Sequence, residues 1–263
     1  MKKLITLTVA LILITGLTNL SHAQWPGSTT ANVLVTNTPA LDEYAGFNTK
    51  SAICTDDSGG AITCWYYQNL TNQPPYEIHA ARIDNHGVVR WSLTVCAAIG
   101  TTGRDNPTIV SDDAGGAIVV WGDWRDSVQF HPRNIYAARI GPNGNFIWGG
   151  GNGIIVDSSS NANKYTPVIC SDGSNGAIVA YVGSTNSPQI FAKHIHANGT
   201  LSWGSAGAGA GLALVNVNSI VHDNTAITSD GLGGAIIAWE DWGTGGADHN
   251  IYASRVNAAG TIV

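Results

Sequence analysis

Charge is scarce in this chain of 263 residues: Asp, Glu, Lys and Arg together make up 11%, under half of the about 25% usual in soluble domains. An unfolded tail, which depends on high charge and low hydrophobicity, is thereby excluded. Glu and Lys occur only 3 and 5 times and Met once, so the straight-chain residues that support helices are nearly missing and a helical bundle is excluded as well. No basic cluster interrupts a sequence of net charge −6 and pI near 5.6, which removes the electrostatic footprint of nucleic-acid binding. The longest apolar run, Leu4 to Leu17, has 14 residues, short of the roughly 20 that span a bilayer. No membrane span is expected.

Metal-binding spacings are missing too. There is no CxxC, no HExxH, and no DxDxDG loop with a distal Glu, so neither a metal nor a cofactor is expected. His194 and His196 are the one close histidine pair, and on a strand they point to the same face.

What is present begins with an address. Met1, Lys2 and Lys3 precede the apolar run, and Ser21-His22-Ala23 offers small residues at a cleavage position. Residues 1–23 read as a secretory signal peptide, leaving residues 24–263 as the mature domain in a secreted, periplasmic or cell-surface setting. Losing Lys2 and Lys3 takes the net charge from −6 to −8.

Glycine, with 32 copies, is abundant because it recurs on a period. The segments SAICTDDSGGAITCW (51–65), PTIVSDDAGGAIVVW (107–121), PVICSDGSNGAIVAY (167–181) and TAITSDGLGGAIIAW (225–239) superimpose without gaps. Their anchors Gly60, Gly116, Gly176 and Gly234 are 56, 60 and 58 residues apart. Each is followed by a second block: IHAARIDNHGVVRW (78–91), IYAARIGPNGNFIW (135–148), IFAKHIHANGTLSW (190–203) and IYASRVNAAGTIV (251–263).

Both blocks read as hairpins, with Asp and Gly supplying turns between β-branched runs. Runs such as Ala117-Ile118-Val119-Val120-Trp121 are apolar on both faces, so the sheets must be covered on both sides. A 58-residue unit of four short strands fits an all-β propeller of four-stranded antiparallel blades, four of them visible. A sandwich of serial hairpins is the competing arrangement.

The whole mature chain resembles a family of secreted bacterial β-propeller repeats with the pattern SDGxGGAIVAWxDxR, then IYAxRI, then GxxxW. The third copy departs from it, with Tyr181 for Trp and His194 for Arg. The turns distantly resemble those of Asp-box propellers, although the Gly-to-Trp spacing differs. The resemblance implies the fold; it implies no particular chemistry.

Trp91, Trp148 and Trp203 each follow a turn Gly by four residues, whereas Gly260 is followed only as far as Val263. Two expectations result: a segment of a longer exported protein, or a ring closed by the N-terminal segment, in which Trp25 leads into Val33-Leu34-Val35 much as Trp148 leads into Ile154-Ile155-Val156.

Among candidate chemical groups, the four cysteines permit three pairings; Cys54 and Cys64, which flank one hairpin, are the candidate disulfide, and buried free thiols are the alternative. Arg82, Arg139 and Arg255 recur at one repeat position, which predicts a structural bond to a turn Asp of the same repeat. The turn acids Asp56, Asp112, Asp172 and Asp230 serve turn formation without a metal. The irregular feature lies after the first hairpin of copies two and four: Asp123, Trp124 and Arg125, and Glu240, Asp241 and Trp242. An indole beside carboxylates suits a sugar ring or a peptide side chain, and packing between blades is the alternative role for the same residues. The expected function is therefore non-enzymatic binding of a glycan or protein partner through blade-connecting loops. The alternatives are a propeller-based glycoside hydrolase or lyase, which needs unlike polar residues converging at one rim, and a structural segment of a surface protein.

Overall fold

The computed structural model describes residues 32–36, 42–44, 52–68, 76–97, 102–125, 133–159, 163–184, 188–215, 222–243 and 249–263. The expected signal peptide and Trp25 lie outside the described residues. Among the described residues every regular element is a strand, as the shortage of helix-supporting residues requires, and no helix is long and apolar enough to cross a membrane.

The strands pair antiparallel in four sheets, one per repeat. In sheet one, Ala61–Gln68, Tyr76–Ile83 and Val89–Cys96 lie side by side, and Asp42–Tyr44 and Ile53–Thr55 share the first row. Sheet two runs Arg104–Ser111, Ala117–Asp123, Asn134–Ile140, with a fourth row divided between Phe146–Trp148 and Ile154–Asp157. Sheet three repeats this with Asn163–Ser171, Ala177–Ser184 and Pro188–Ile195, and a fourth row of Leu201–Ser202 and Leu212–Ala213. Sheet four has His222–Ser229, Ala235–Asp241 and Asn250–Val256, and among the described residues only the bridge Val256–Ile262 in its fourth row.

The anchor glycines serve a purpose other than the positive φ expected of turn residues. In the first two repeats that backbone conformation falls on Gly59 and Gly115 instead. A Cβ on Gly60, Gly116, Gly176 or Gly234 would meet a carbonyl oxygen of the third strand at 2.3, 2.1, 2.4 or 2.2 Å, so close backbone approach is what demands glycine there. The turn aspartate then organises the hairpin. Asp112 accepts from the amides of Ala114 (3.0 Å) and Gly116 (2.7 Å) and from Arg139 Nε (2.8 Å). Asp56 with Arg82 and Asp230 with Arg255 repeat that pairing, each at 2.9 Å, and His194 takes the place of Arg beside Asp172 at 2.8 Å. Burial works against ionisation of Asp56, yet the Ser58 and Gly60 amides and Arg82 hold its carboxyl below the ordinary range.

Sheets stack through three apolar seams. Ile62, Ile78 and Val95 of sheet one meet Val119, Trp121 and Tyr136 of sheet two. Ile118, Ile135 and Val156 meet Val179 and Tyr181, and Ile178 and Ile190 meet Ile237 and Trp239. The repeated Arg and Trp clamp the first two seams polarly: Arg82 Nη1 and Trp91 Nε1 both donate to the Pro142 carbonyl, at 2.8 and 2.9 Å. Arg139 and Trp148 do the same to Ala197, at 2.9 and 3.1 Å. In the third seam Trp203 Nε1 donates to the Ala258 carbonyl at 3.3 Å. All of Ala117–Asp123 and Asn134–Ile140 is buried, as sheets covered on both faces must be. Among the described residues no comparable packing joins sheet four to sheet one.

Cys54 and Cys64 do not form the expected disulfide; they and Cys96 and Cys170 are free thiols. Cys54 pairs with Ile62, two residues before Cys64, so the cysteines are diagonal neighbours, about 7–8 Å apart by strand geometry, beyond the usual span of about 5.5–6 Å between bridged Cα atoms. Burial pushes the Cys54 thiol up to about 12.

Candidate functional site

The first strands of sheets two, three and four each break register at the same place, between Asp105 and Thr108, Tyr165 and Val168, and Asp223 and Ala226. The residues at the kinks, Asn106, Thr166 and Asn224, have φ of 48°, 48° and 53°. These bulges re-aim neighbouring side chains. A cavity of about 810 Å³ opens there, lined by Asp105, Asn106, Trp124, Arg133, Asn163, Tyr165, Thr166, Pro167, Val168, Asp223 and Asn224. Three sheets thus bring unlike polar residues to one place, although the strands that carry them are repeats.

Its most constrained wall is the pair Trp124 and Arg133. The Arg133 guanidinium stacks over the Trp124 ring, 4.9 Å from its centroid, and donates to Asp105. Burial lowers Arg133 to about 10, which leaves it charged at neutral pH. Two glycines make room for this wall. A Cβ on Gly122 would lie 2.0 Å from Arg133 Nε, and one on Gly103 would lie 2.9 Å from the Trp124 ring. The Trp124 amide donates to the Gly103 carbonyl at 3.1 Å, which holds the start of the loop beside that glycine. On the opposite wall burial raises the Tyr165 phenol, and the Asp223 carboxylate adds to the rise. Tyr165 therefore presents a neutral hydroxyl. The Thr166 hydroxyl is buried and has no hydrogen-bond partner among the described residues.

Of the six side chains singled out in the sequence, only Trp124 lines the cavity. Asp123 is fully buried behind it, 3.2 Å from Arg104 and 2.5 Å from Arg125, and accepts from Trp121 Nε1 at 3.1 Å. Arg125 lies over the Tyr136 ring at 4.1 Å and donates to Cys96 Sγ at 2.9 Å. These two face the seam between sheets one and two. Glu240 stands directly behind the lining: it accepts from Asn224 Nδ2 and contacts His249 Nδ1, both at 2.6 Å. His249, then Asn224, keep its carboxyl below the ordinary range. Trp242 stacks on His249 at 4.8 Å, and Asp241 lies 3.4 Å from His222. The structure does not bring the two loop clusters together into one site.

Asp105, Asn106, Arg133, Asn163, Tyr165, Thr166, Asp223 and Asn224 line the cavity without belonging to any motif singled out in the sequence. A signal for most of them exists. Immediately before the shared blocks the chain reads Arg104-Asp105-Asn106, Lys164-Tyr165-Thr166 and His222-Asp223-Asn224: Asp-Asn recurs in copies two and four, and Tyr165-Thr166 is the departure in copy three. Among the described residues no group of three or more His, Cys, Asp or Glu is placed to hold a metal ion.

Comparison with solved structures gives the fold class of this arrangement. A protein of unknown function from Dyadobacter fermentans superimposes with a TM-score of 0.51 at 7% identity, covering 86% of this chain and 72% of its own. The α-L-arabinanase of Penicillium chrysogenum, solved with arabinobiose, superimposes with a TM-score of 0.50 at 10% identity, covering 83% and 70%. The chain is thus all-β, built of antiparallel sheets, and shares its fold with these two proteins. No family model and no curated protein sequence matches it.

Proposed function

We propose that the chain is an exported β-propeller domain, spanning residues 24–263, whose cavity between sheets two, three and four binds a carbohydrate. The observation that carries this reading is the convergence of Trp124, Asp105, Asn106, Asp223 and Asn224 on one 810 Å³ space. A sugar ring has apolar C–H faces and a rim of hydroxyls. The Trp124 indole suits the first, and the amide and carboxylate side chains suit the second. The fold likeness to an arabinanase solved with arabinobiose makes arabinose oligomers the first ligands to try.

The test is calorimetric titration of the purified chain with arabinobiose and longer arabino-oligosaccharides, beside a glycan array. Saturable binding that weakens about tenfold or more in Trp124→Ala, a loss of about 1.4 kcal/mol, is the expected result. Binding unchanged in Trp124→Ala and Asp223→Asn refutes the assignment to this cavity.

A second reading is glycoside hydrolysis. It is favoured by the presence of two carboxylates, Asp105 and Asp223, from different sheets on one cavity, the arrangement that a glycosidase needs. Release of reducing ends from arabino-oligosaccharides, abolished in Asp223→Asn, supports it. Saturable binding without release excludes it for those substrates.

A further inference from the structure

Sheet four carries an open edge and an open face that its counterparts do not. Ile251 is 76% exposed, whereas Ile78, Ile135 and Ile190 at the same repeat position are at 0%. Ile236 is 41% exposed against 0% for Ile62, Ile118 and Ile178. In the other sheets these isoleucines are the side chains that pack on the following sheet. Along the edge, Ile251, Tyr252 and Ala253 have no strand partner among the described residues beyond Ala235–Asp241, whereas their equivalents Ile135, Tyr136 and Ala137 pair with Asp157, Ile155 and Ile154.

The complementary surface sits on sheet one. Its other face carries Ile53, 60% exposed although Ile109 in sheet two is at 1%, together with Trp65 and Tyr67. What touches that face is Val35, packed against Trp65, Tyr67 and Ala81, with Thr36 Oγ1 3.0 Å from the Tyr67 hydroxyl. The outer strands of sheets one and two place a residue in the same way on the sheet that follows: Val95 beside Trp121, and Val156 beside Tyr181. Val33-Leu34-Val35-Thr36 therefore aligns with Leu93-Thr94-Val95-Cys96 and Ile154-Ile155-Val156-Asp157. It has the position and apolar pattern of an outer strand, but no sheet behind it to complete.

We propose that the open edge and face of sheet four dock on sheet one of a second copy of this chain, whose residues 33–36 add as the missing outer strand. By repeat equivalence Leu34 falls opposite Tyr252 and Val33 opposite Ala253. The contact is head-to-tail and continues the geometry of the three existing seams. The apolar side chains it covers are those that such an edge otherwise leaves open to water. Reciprocal docking of two copies gives a ring within the range of about 4–8 blades that propellers occupy.

Sedimentation of the full chain and disulfide trapping test the proposal. The expected mass is a multiple of that of one chain, falling to a single chain in Ile251→Asp, with circular dichroism unchanged. Mixing Leu34→Cys and Tyr252→Cys chains under oxidation is expected to give an interchain crosslink that neither variant forms alone, a readout independent of whether Ile251→Asp folds. A single-chain mass with no crosslink in the mixture overturns the proposal. So does a Leu34→Cys/Tyr252→Cys double variant whose disulfide forms only within one chain, because the ring then closes on itself.

Discussion

Replacing Gly122 with Ala adds one methyl group to a buried strand, and its consequence follows from a single neighbour. Gly122 lies inside Ala117–Asp123 and is not among the glycines with positive φ. An alanine there meets no backbone strain, and relief of glycine's entropy would ordinarily stabilise by about 0.5–1 kcal/mol. The methyl, however, would lie 2.0 Å from Arg133 Nε and 2.3 Å from Nη2. Arg133 is 6% exposed and is held between Trp124 and Asp105, so the guanidinium must leave the wall. Breaking a buried ion pair by removing one partner costs about 3–5 kcal/mol. Asp105 borders the cavity and is reached by water, which puts the loss near the lower end, about 3 kcal/mol. For a chain of this size that corresponds to a drop of roughly 6–12 °C in melting temperature. Calorimetric melting of Gly122→Ala, Arg133→Ala and the double variant measures it. The two changes should be strongly non-additive: once Arg133 is gone, Gly122→Ala should be close to neutral. Saccharide affinity should fall in both single variants, because Trp124 loses its backing. A fully stable Gly122→Ala, or an additive double variant, would refute the claim that this glycine exists to seat Arg133.

Three further outcomes are expected. His194→Arg should raise the melting temperature by roughly 2–4 °C, or about 1 kcal/mol, because Arg82 and Arg139 each reach a carbonyl of the next sheet, whereas His194 leaves its Nδ1 unpartnered; a lower melting temperature refutes this. Acid sensitivity follows from Asp84, held down to about 2, against 3.8 ordinarily, by the Val88 amide first and then, against desolvation, by the His86 amide and Arg90. A carboxyl lowered by folding stabilises above its unfolded value and loses that contribution as pH falls. Asp84→Asn should therefore flatten the dependence of melting temperature on pH between about 4 and 2, and an unchanged slope contradicts the assignment. Thiol titration should find Cys54, Cys64 and Cys170 unreactive in the folded chain at neutral pH, since burial raises each of them. All four thiols should react after denaturation without reductant; fewer than four would restore a disulfide.

The six loop residues drawn from the sequence illustrate how a linear motif misleads about a site. Asp123-Trp124-Arg125 reads as one loop cluster, but Asp123 still belongs to the strand Ala117–Asp123, where it shares a face with Trp121 two residues back. Trp124 turns to the cavity while Asp123 turns into the seam, where Arg104 and Trp121 hold it. Asp105 and Arg133 are 28 residues apart in the chain and share no motif. Their pairing depends on the bulge at Asn106 and on the missing side chain of Gly122. Neither a bulge nor a close approach leaves a periodic trace.

The four sheets, their turns and the bonds between turn Asp and strand Arg are legible in the sequence by itself, because a fixed period repeats the same local chemistry and each copy folds under the same short-range constraints. The cavity, the burial of Asp123, the unpaired cysteines and the two open faces at sheets one and four were decided only by the tertiary structure. They arise where stacked copies differ from one another, and such differences acquire a position only once the sheets are packed side by side.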